Sequence, residues 1–402
     1  MTSSSQRLIE ALQHRGVEIL CPESVYIDPA IDPERISREN VVLHPGTRLR
    51  GANTLIGPGC VIGQEAPATL DDCALGKRVQ FKGGYATKSA FLDDVQIGSG
   101  AQIREDCLIE EQASAAHTVG LKQTILMPYA TVGSLVNFCD AMLGGGTGPS
   151  DHSEIGSGFI HFNFTPAGTK ATASLFGDVP RGVFLREPRI FLGGQVGVVG
   201  PRKVGYGALV GAGSLLRDDL PDGQFAIALP EHEVRRPVSP AGRVKPVKVA
   251  EVAAKTIDYI AQLRTLRLWY KAVRSAYCGR FRLGALLNES VRQLLDDAVA
   301  ERGKRLVQYA NTIDVTDAGS RQFVAKVDDL IEAATKVELP VDKAVVEAII
   351  LPANHRAAAY LETMAILDDQ TVAAGQTWLQ NAVDTVKQAA FGTVPALDLA
   401  EA

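Results

Sequence analysis

Along the first half of the chain the apolar positions keep a period of six. Ile97, Ile103, Ile109, Ala115 and Leu121 fall six apart without a slip, and so do Leu192, Val198, Val204, Val210 and Leu216. Four residues after many of these sits a small or β-branched residue: Ala101, Cys107, Ala113 and Val119, then Val196, Ala208 and Ser214. Glycine often follows the aliphatic directly, as in Ile62-Gly63, Ile97-Gly98 and Val210-Gly211. A short strand, a tight turn and another short strand, each with one inward aliphatic, repeat so that stacked coils bury a continuous column. The expected fold is a left-handed parallel β-helix of hexapeptide repeats. A β-sandwich would place turn signals every 8–12 residues instead of every six. Register slips near Leu55 and Ile56, and over 83–91, predict loops or bulges on that prism.

The pattern changes after residue 228. Residues 229–248 carry Pro230, Pro237, Pro240 and Pro246, which favour extended backbone and read as a linker. Beyond it glycine becomes scarce and the period lengthens to about 3.6, with Ile260, Leu263, Leu266, Tyr270 and Val273 on one helical face. Further helices are expected near 283–311, 320–337, 342–350, 354–367 and 371–390. The domain organisation is therefore a helical cap over 1–24, a β-helix over 25–228, a proline-rich linker over 229–248 and an α-helical bundle domain over 249–402. The cap covers one open end of the solenoid, and the helical domain covers the other end or mediates assembly.

Composition narrows the class. Of 402 residues, 46% are hydrophobic and 22% charged, an ordinary globular balance. A net charge of −5 gives no basic footprint for nucleic acid. The start lacks the basic-then-apolar build of a signal peptide, and no apolar run approaches the ~18 residues of a membrane span. Six scattered cysteines without a C-x-x-C pair argue against a disulfide framework or zinc knuckle, and fit a reducing cytoplasm.

Three stretches carry a family resemblance: SLVNFCDAMLGGG (Ser134 to Gly146), EIGSGFIHFNFTPAG (Glu154 to Gly168) and FLGGQVGVVGPRKVGYGALVGAGSLLRDDL (Phe191 to Leu220). They are similar to the acetyltransferase half of the enzymes that are both glucosamine-1-phosphate acetyltransferase and UDP-N-acetylglucosamine pyrophosphorylase, a trimeric left-handed β-helix family. No glycine-rich nucleotidyltransferase loop precedes the repeats, so pyrophosphorylase activity is not inherited. The resemblance implies acetyl-CoA as donor, a sugar phosphate or sugar nucleotide as acceptor, and a homotrimer. It places the family's catalytic histidine on Ser134, its sugar-contacting tyrosine on Asn137 and its aspartate on Asp140, of which only the aspartate is kept. Its sugar-contacting asparagine becomes Glu154, and its Asn-Tyr pair becomes Asn163-Phe164. Gly194 and Ala212 occupy positions that line the coenzyme A channel, while the family's arginine has no counterpart near Ala228 and Leu229.

Losing the histidine matters most, because acetyl transfer needs a base worth about 10²–10⁴ in rate and serine alone cannot serve. The remaining candidates are His117, His152 and His161, the last in the H-F-N-F run. His161 also falls six after Ile155, an inward slot, so a buried, satisfied ring is an equal reading. His152, in the insertion Gly145 to Ser153, reads as part of a dyad with Asp151 or as loop polarity. Lys170, Arg202, Lys203 and Arg217 offer charge-assisted contacts to coenzyme or nucleotide phosphates, or are ordinary surface charges. Arg264, Arg267, Lys271 and Arg274 form one basic stripe, read as a solvated or bridging face, paired with Asp296 and Asp297.

The leading expectation is an acyltransferase in which Asp140 and Asn163 orient the acceptor, His161 or His152 takes the proton, and N–H groups near Gly193 and Gly194 hold the thioester oxygen. The rival is a catalytically silent sugar-nucleotide binder or scaffold. A third reading takes the three histidines as a zinc site like that of the γ-class carbonic anhydrases, although their spacing differs from that family's and no metal is expected.

Overall fold

The computed structural model describes residues 4–163, 173–227, 249–279, 282–313, 315, 317–356 and 359–397, so the linker at 229–248, Phe164, Lys170, Ala228 and Leu229 lie outside the described residues. The hexads form a left-handed parallel β-solenoid followed by helices. Its three faces come from the triangular coil. The first face is an eleven-stranded sheet running from Glu18–Ile19 to Phe225–Ala226. The second and third merge into one sheet, because strands Gly120–Leu126 and Asn137–Leu143 pass around their shared corner without a break.

Coil register follows from the hexad. Ile97 pairs with Ala115 and Leu192 with Val210, three hexads on in each case. Corners are turned by one left-handed residue: Asp94, Asp106, Gln112 and Thr118 have φ of 64, 63, 57 and 60°. Short polar Asp bonds locally in that conformation and so tolerates it. The expected loops near Leu55 and over 83–91 are instead regular strands, Leu55–Ile56, Gly84–Thr87 and Ala90–Phe91. The slip is absorbed by coil length, since Leu75 pairs with Phe91 where a full three hexads would reach further. Real excursions occur at 144–153 and 177–190.

Helix Ser4–His14 buries Ile9 and Leu12 in the same cluster as Ile19 and Ile27, and so closes the N-terminal end of the prism. The first coil strand already begins at Glu18, ahead of the boundary expected at 25.

The helical domain does not sit on the other end; it lies along the third face. Four third-face strands, Leu55–Ile56, Ala74–Leu75, Ala90–Phe91 and Leu108–Ile109, bury both residues of the pair. One residue of each pair points into the prism. The other, including Leu55, Leu108, Ile125, Met142 and Leu175, joins one apolar cluster with Ile257, Ile260, Leu266, Leu287 and Leu295 of the helices. Helix Val249–Trp269 is buried around most of its circumference, which is the mark of a central helix. It packs between the solenoid and helices Gly284–Ala310, Ala318–Lys336 and Asp369–Phe391. The 177–190 excursion is its bracket. Val179 N–H donates to Gln262, Tyr360 O–H donates to the Val183 carbonyl, and Arg186 donates to the carbonyls of Ala365 and Leu367.

Candidate functional site

Apart from Glu154, the residues that the resemblance brought forward lie on the second face and its two corners. Strand Asn137–Leu143 stacks between Gly120–Leu126 and Ile160–Phe162, with Asn137 paired to Gly120 on one side and Ile160 on the other. Extending the first pairing back three residues stacks His117 directly on Ser134, one coil away, at a spacing of about 4.8 Å. The Leu135 N–H accordingly donates to the His117 carbonyl at 3.2 Å. His117 is exposed, and its Nδ1 lies 3.3 Å from Thr118 Oγ1. Below it, Ser134 N–H donates to Ser157 Oγ at 3.2 Å. This corner, between the first and second faces, continues through Gly194 and Ala212.

Small residues keep that corner shallow. A Cβ on Gly133 would stand 2.7 Å from Ser157 N, and one on Gly193 would stand 2.5 Å from Ala212 N. Backbone therefore meets backbone down the column. The Gly193 N–H is taken by the Val210 carbonyl at 2.9 Å, so it is not free to hold a thioester oxygen as expected. Leu135, Ile160 and Phe162 are apolar and exposed on the second face and its corner, at 61, 41 and 45%.

His161 takes the interior slot. Its ring is 3% exposed and packs against Phe138 and Phe176. Nδ1 lies 2.6 Å from the Cys139 carbonyl and Nε2 lies 2.8 Å from Ser174 Oγ. Ser174 Oγ also accepts from the Arg202 N–H. One assignment satisfies all three groups: Nδ1–H donates to the carbonyl, and Ser174 O–H donates to Nε2. Burial lowers the ring's pKa, with opposing but smaller contributions from the Cys139 carbonyl and Asp140. The imidazole is thus neutral, and its lone pair is already used. It cannot reach a substrate, which corrects its expected role as base.

Asp140 turns the corner between the second and third faces in the left-handed conformation, φ 54°. Its carboxylate is 3% exposed. Oδ1 pairs with Arg302 of the 284–310 helix at 2.5 Å and lies 3.7 Å from Arg305, while Oδ2 accepts from Asn163. The two acceptor-orienting residues are therefore joined to each other, and a helix of the same chain neutralises them. Sequence reasoning missed Arg302 because its partner lies 162 residues away.

The other candidates scatter. His152 sits in the 144–153 excursion with Nδ1 2.9 Å from the Pro149 carbonyl. Glu154 lies on the first face, between Thr131 and Phe191. Lys203 is on the third face and pairs with Asp258 of the 249–269 helix at 2.6 Å, so it holds the helical domain and is far from a channel at Gly194 and Ala212. His117, His152 and His161 occupy a corner, an excursion and the interior, and no grouping of metal-binding side chains occurs among the described residues. The basic stripe is structural: Arg264 donates to the carbonyls of Ala334 and Val337, Arg267 pairs with Asp296, and Arg274 is buried on Glu111.

No family model matches the chain. Among curated proteins, it is 32% identical over 216 residues to the bifunctional protein GlmU of Thermotoga petrophila, which covers 54% of this chain and 43% of that protein. The GlmU of Carboxydothermus hydrogenoformans is 29% identical over 223 residues, 56% of this chain and 44% of that protein. The chain thus spans less than half the length of these relatives. Among solved structures, the UDP-N-acetylglucosamine acyltransferase from Campylobacter jejuni aligns at 12% identity over 52% of this chain and 71% of that one, with a TM-score of 0.22. PerB from Caulobacter crescentus, in complex with CoA and GDP-perosamine, aligns at 16% over 57% and 65%, with a TM-score of 0.13. Superpositions this poor support no conclusion about the site. Among the described residues, no helix is long and apolar enough to cross a membrane.

Proposed function

We propose that this protein transfers an acyl group from a coenzyme A thioester to an amine or hydroxyl of a sugar phosphate or sugar nucleotide, at the corner between the first and second faces. The observation that carries the reading is the stacking of exposed His117 on Ser134, which occupies the position of the base in the family that the sequence resembles. A base displaced by one coil moves about 4.8 Å along the corner, a distance that a repositioned acceptor can follow. With its Nδ1 proton donated to Thr118, the Nε2 lone pair of His117 accepts the proton of the attacking group as the new bond to the acyl carbon forms. The thioester C–S bond then breaks and the thiolate leaves. Coenzyme A lies along the glycine-lined column past Gly194 and Ala212, in the manner the resemblance implies, and Asn137 contacts the sugar from the open face. The similarity to GlmU proteins supports a sugar-type acceptor.

A second reading is favoured by Asp140, whose carboxylate is already engaged by Arg302 and Asn163. In that reading the corner binds a sugar nucleotide and turns over nothing.

The test is release of free thiol from acetyl-CoA over a panel of amino-sugar phosphates and nucleotide-linked amino sugars, with wild type and His117→Ala. The expected result is thiol release that falls by about 10²–10⁴ in kcat in the variant, with KM for acetyl-CoA retained. Calorimetric binding of UDP-N-acetylglucosamine without thiol release from any acceptor establishes the binder instead. Equal turnover by His117→Ala overturns the assignment of the base.

A further inference from the structure

On the covered third face one outward position breaks the apolar run. Register puts Leu92, Glu110 and Met127 in one column, since Phe91 pairs with Ile109 and Ile109 with Leu126. Leu92 and Met127 are buried in the apolar cluster that the prism shares with the helices. Glu110, between them, is 3% exposed. A carboxyl thus stands in the surface on which the helical domain docks.

The segment that covers it is 270–278. Its first five residues form a single π-helical turn, a widening that recurs at functional sites. Tyr270 O–H donates to Glu110 Oε1. Arg274, 2% exposed, has one nitrogen on the Glu111 carboxylate and lies over the rings of Tyr360 and Tyr270, at 3.8 and 5.1 Å. Nε and Nη1 of Arg274 and Oε2 of Glu111 are buried and have no hydrogen-bond partner among the described residues. Charges sealed in this way are screened little by salt or water.

Two carboxyl groups therefore share one guanidinium. Arg274 favours ionisation of Glu110 and Glu111 opposes it. Around that pair lie Asp93, Lys77 and Tyr129 of the prism, with Tyr360 and Cys278 of the helices; of these only Lys77 is a cation, and it acts on Cys278. Burial, the largest influence, pushes the Glu110 carboxyl up to about 7 against the opposing effects of Arg274 and the Tyr270 hydrogen bond. Glu111 holds the arginine, so Glu110 is the member of the pair that keeps the proton.

We propose that Glu110 is a proton-controlled latch on the helical domain. With its carboxyl protonated the 270–278 segment seats on the prism; loss of the proton to solvent leaves a second buried negative charge on a single arginine and loosens the segment. An acid whose folded pKa is raised makes the docked state the one that binds the extra proton. Docking is thus fullest in acid and weakens as pH rises toward the folded value.

The experiment is native-state hydrogen exchange of the 270–278 amides, corrected for intrinsic rates, in the full chain and in Glu110→Gln. Glutamine keeps an acceptor for Tyr270 and cannot ionise. The ratio of variant to wild-type protection is expected to rise on the order of 50-fold from pH 5 to pH 8, as the shift from 4.5 to about 7 implies. A ratio that stays constant with pH, or a variant less protected than wild type at pH 8, would overturn the proposal. So would a Glu110 carboxyl that titrates, by carbon NMR, at or below the ordinary glutamate midpoint.

Discussion

Replacing Arg302 by methionine tests how the helical domain is locked to the solenoid. Methionine keeps the unbranched apolar stem but loses the charged end, leaving Asp140 buried at 3% exposure with Asn163 and the more distant Arg305 as partners. Breaking a buried pair by removing one partner costs about 3–5 kcal/mol, because the remaining charge is uncompensated. Asp140→Asn alone strands the Arg302 guanidinium in the same way and costs a similar amount. Asparagine tolerates the left-handed backbone at this corner, so no strain is added. The double variant removes both charges and is expected to lie within about 1–2 kcal/mol of wild type, giving a coupling energy of at least about 2 kcal/mol. Solenoid and helices need not unfold together, so urea melts should be paired with hydrogen exchange of the 284–310 amides. A loss below about 1 kcal/mol for Arg302→Met, or additive single variants, would refute the reasoning.

Burial, and then the charges of Asp297 and Glu105, push the Asp106 carboxyl up to about 6. An acid whose folded pKa is raised favours the protonated folded state, so stability falls as pH rises from about 4 to 6 and is flat above. Asp106→Asn should therefore stabilise by about 1 kcal/mol at pH 7.5, after a discount for partial exposure, and by nothing at pH 4, as chemical melts at both values will show. His161 titrates in the opposite sense: its lowered folded pKa means that stability is lost as pH falls below about 6.5. His161→Ala should cost about 2–4 kcal/mol, since it opens a cavity beside Phe138 and Phe176 and leaves Ser174 and the Cys139 carbonyl unpaired. The wild-type ring should be a neutral Nδ1–H tautomer by NMR at pH 7.5, with a midpoint below that of a free imidazole; a raised midpoint would contradict the interior placement.

The prism was legible because its period is short and each inward slot is filled from within the same hexad. His161 illustrates this: spacing from Ile155 alone assigned it an inward slot, and there it lies. The covered third face also had a signal that went unread. First-face pairs alternate polar and apolar, as in Gln80–Phe81, Gln96–Ile97 and Ser114–Ala115, whereas third-face pairs such as Leu55–Ile56 and Leu108–Ile109 are apolar at both positions. A strand apolar on both sides must be covered on both sides. Asp140–Arg302 and Glu111–Arg274 had no such signal, because a tertiary pair between a turn and a helix has no period.

These two pairs give the three corners different meanings. The corner between second and third faces holds Asp140, and the corner between third and first faces holds Glu111. Both border the helical domain, and each has its carboxylate clamped by an arginine from a helix. Such clamps fix the domain along the prism in register, which apolar packing on a repetitive surface does not do, because one coil offers much the same apolar ridge as the next. The remaining corner borders the first and second faces, which the helices among the described residues leave uncovered. It carries His117, Ser134 and the glycine-lined column, none of them bonded to a helix among the described residues. Docking one domain on one face thus divides the molecule, and a variant at the corner of His117 and Ser134 should leave unchanged the docking that Arg302 reports.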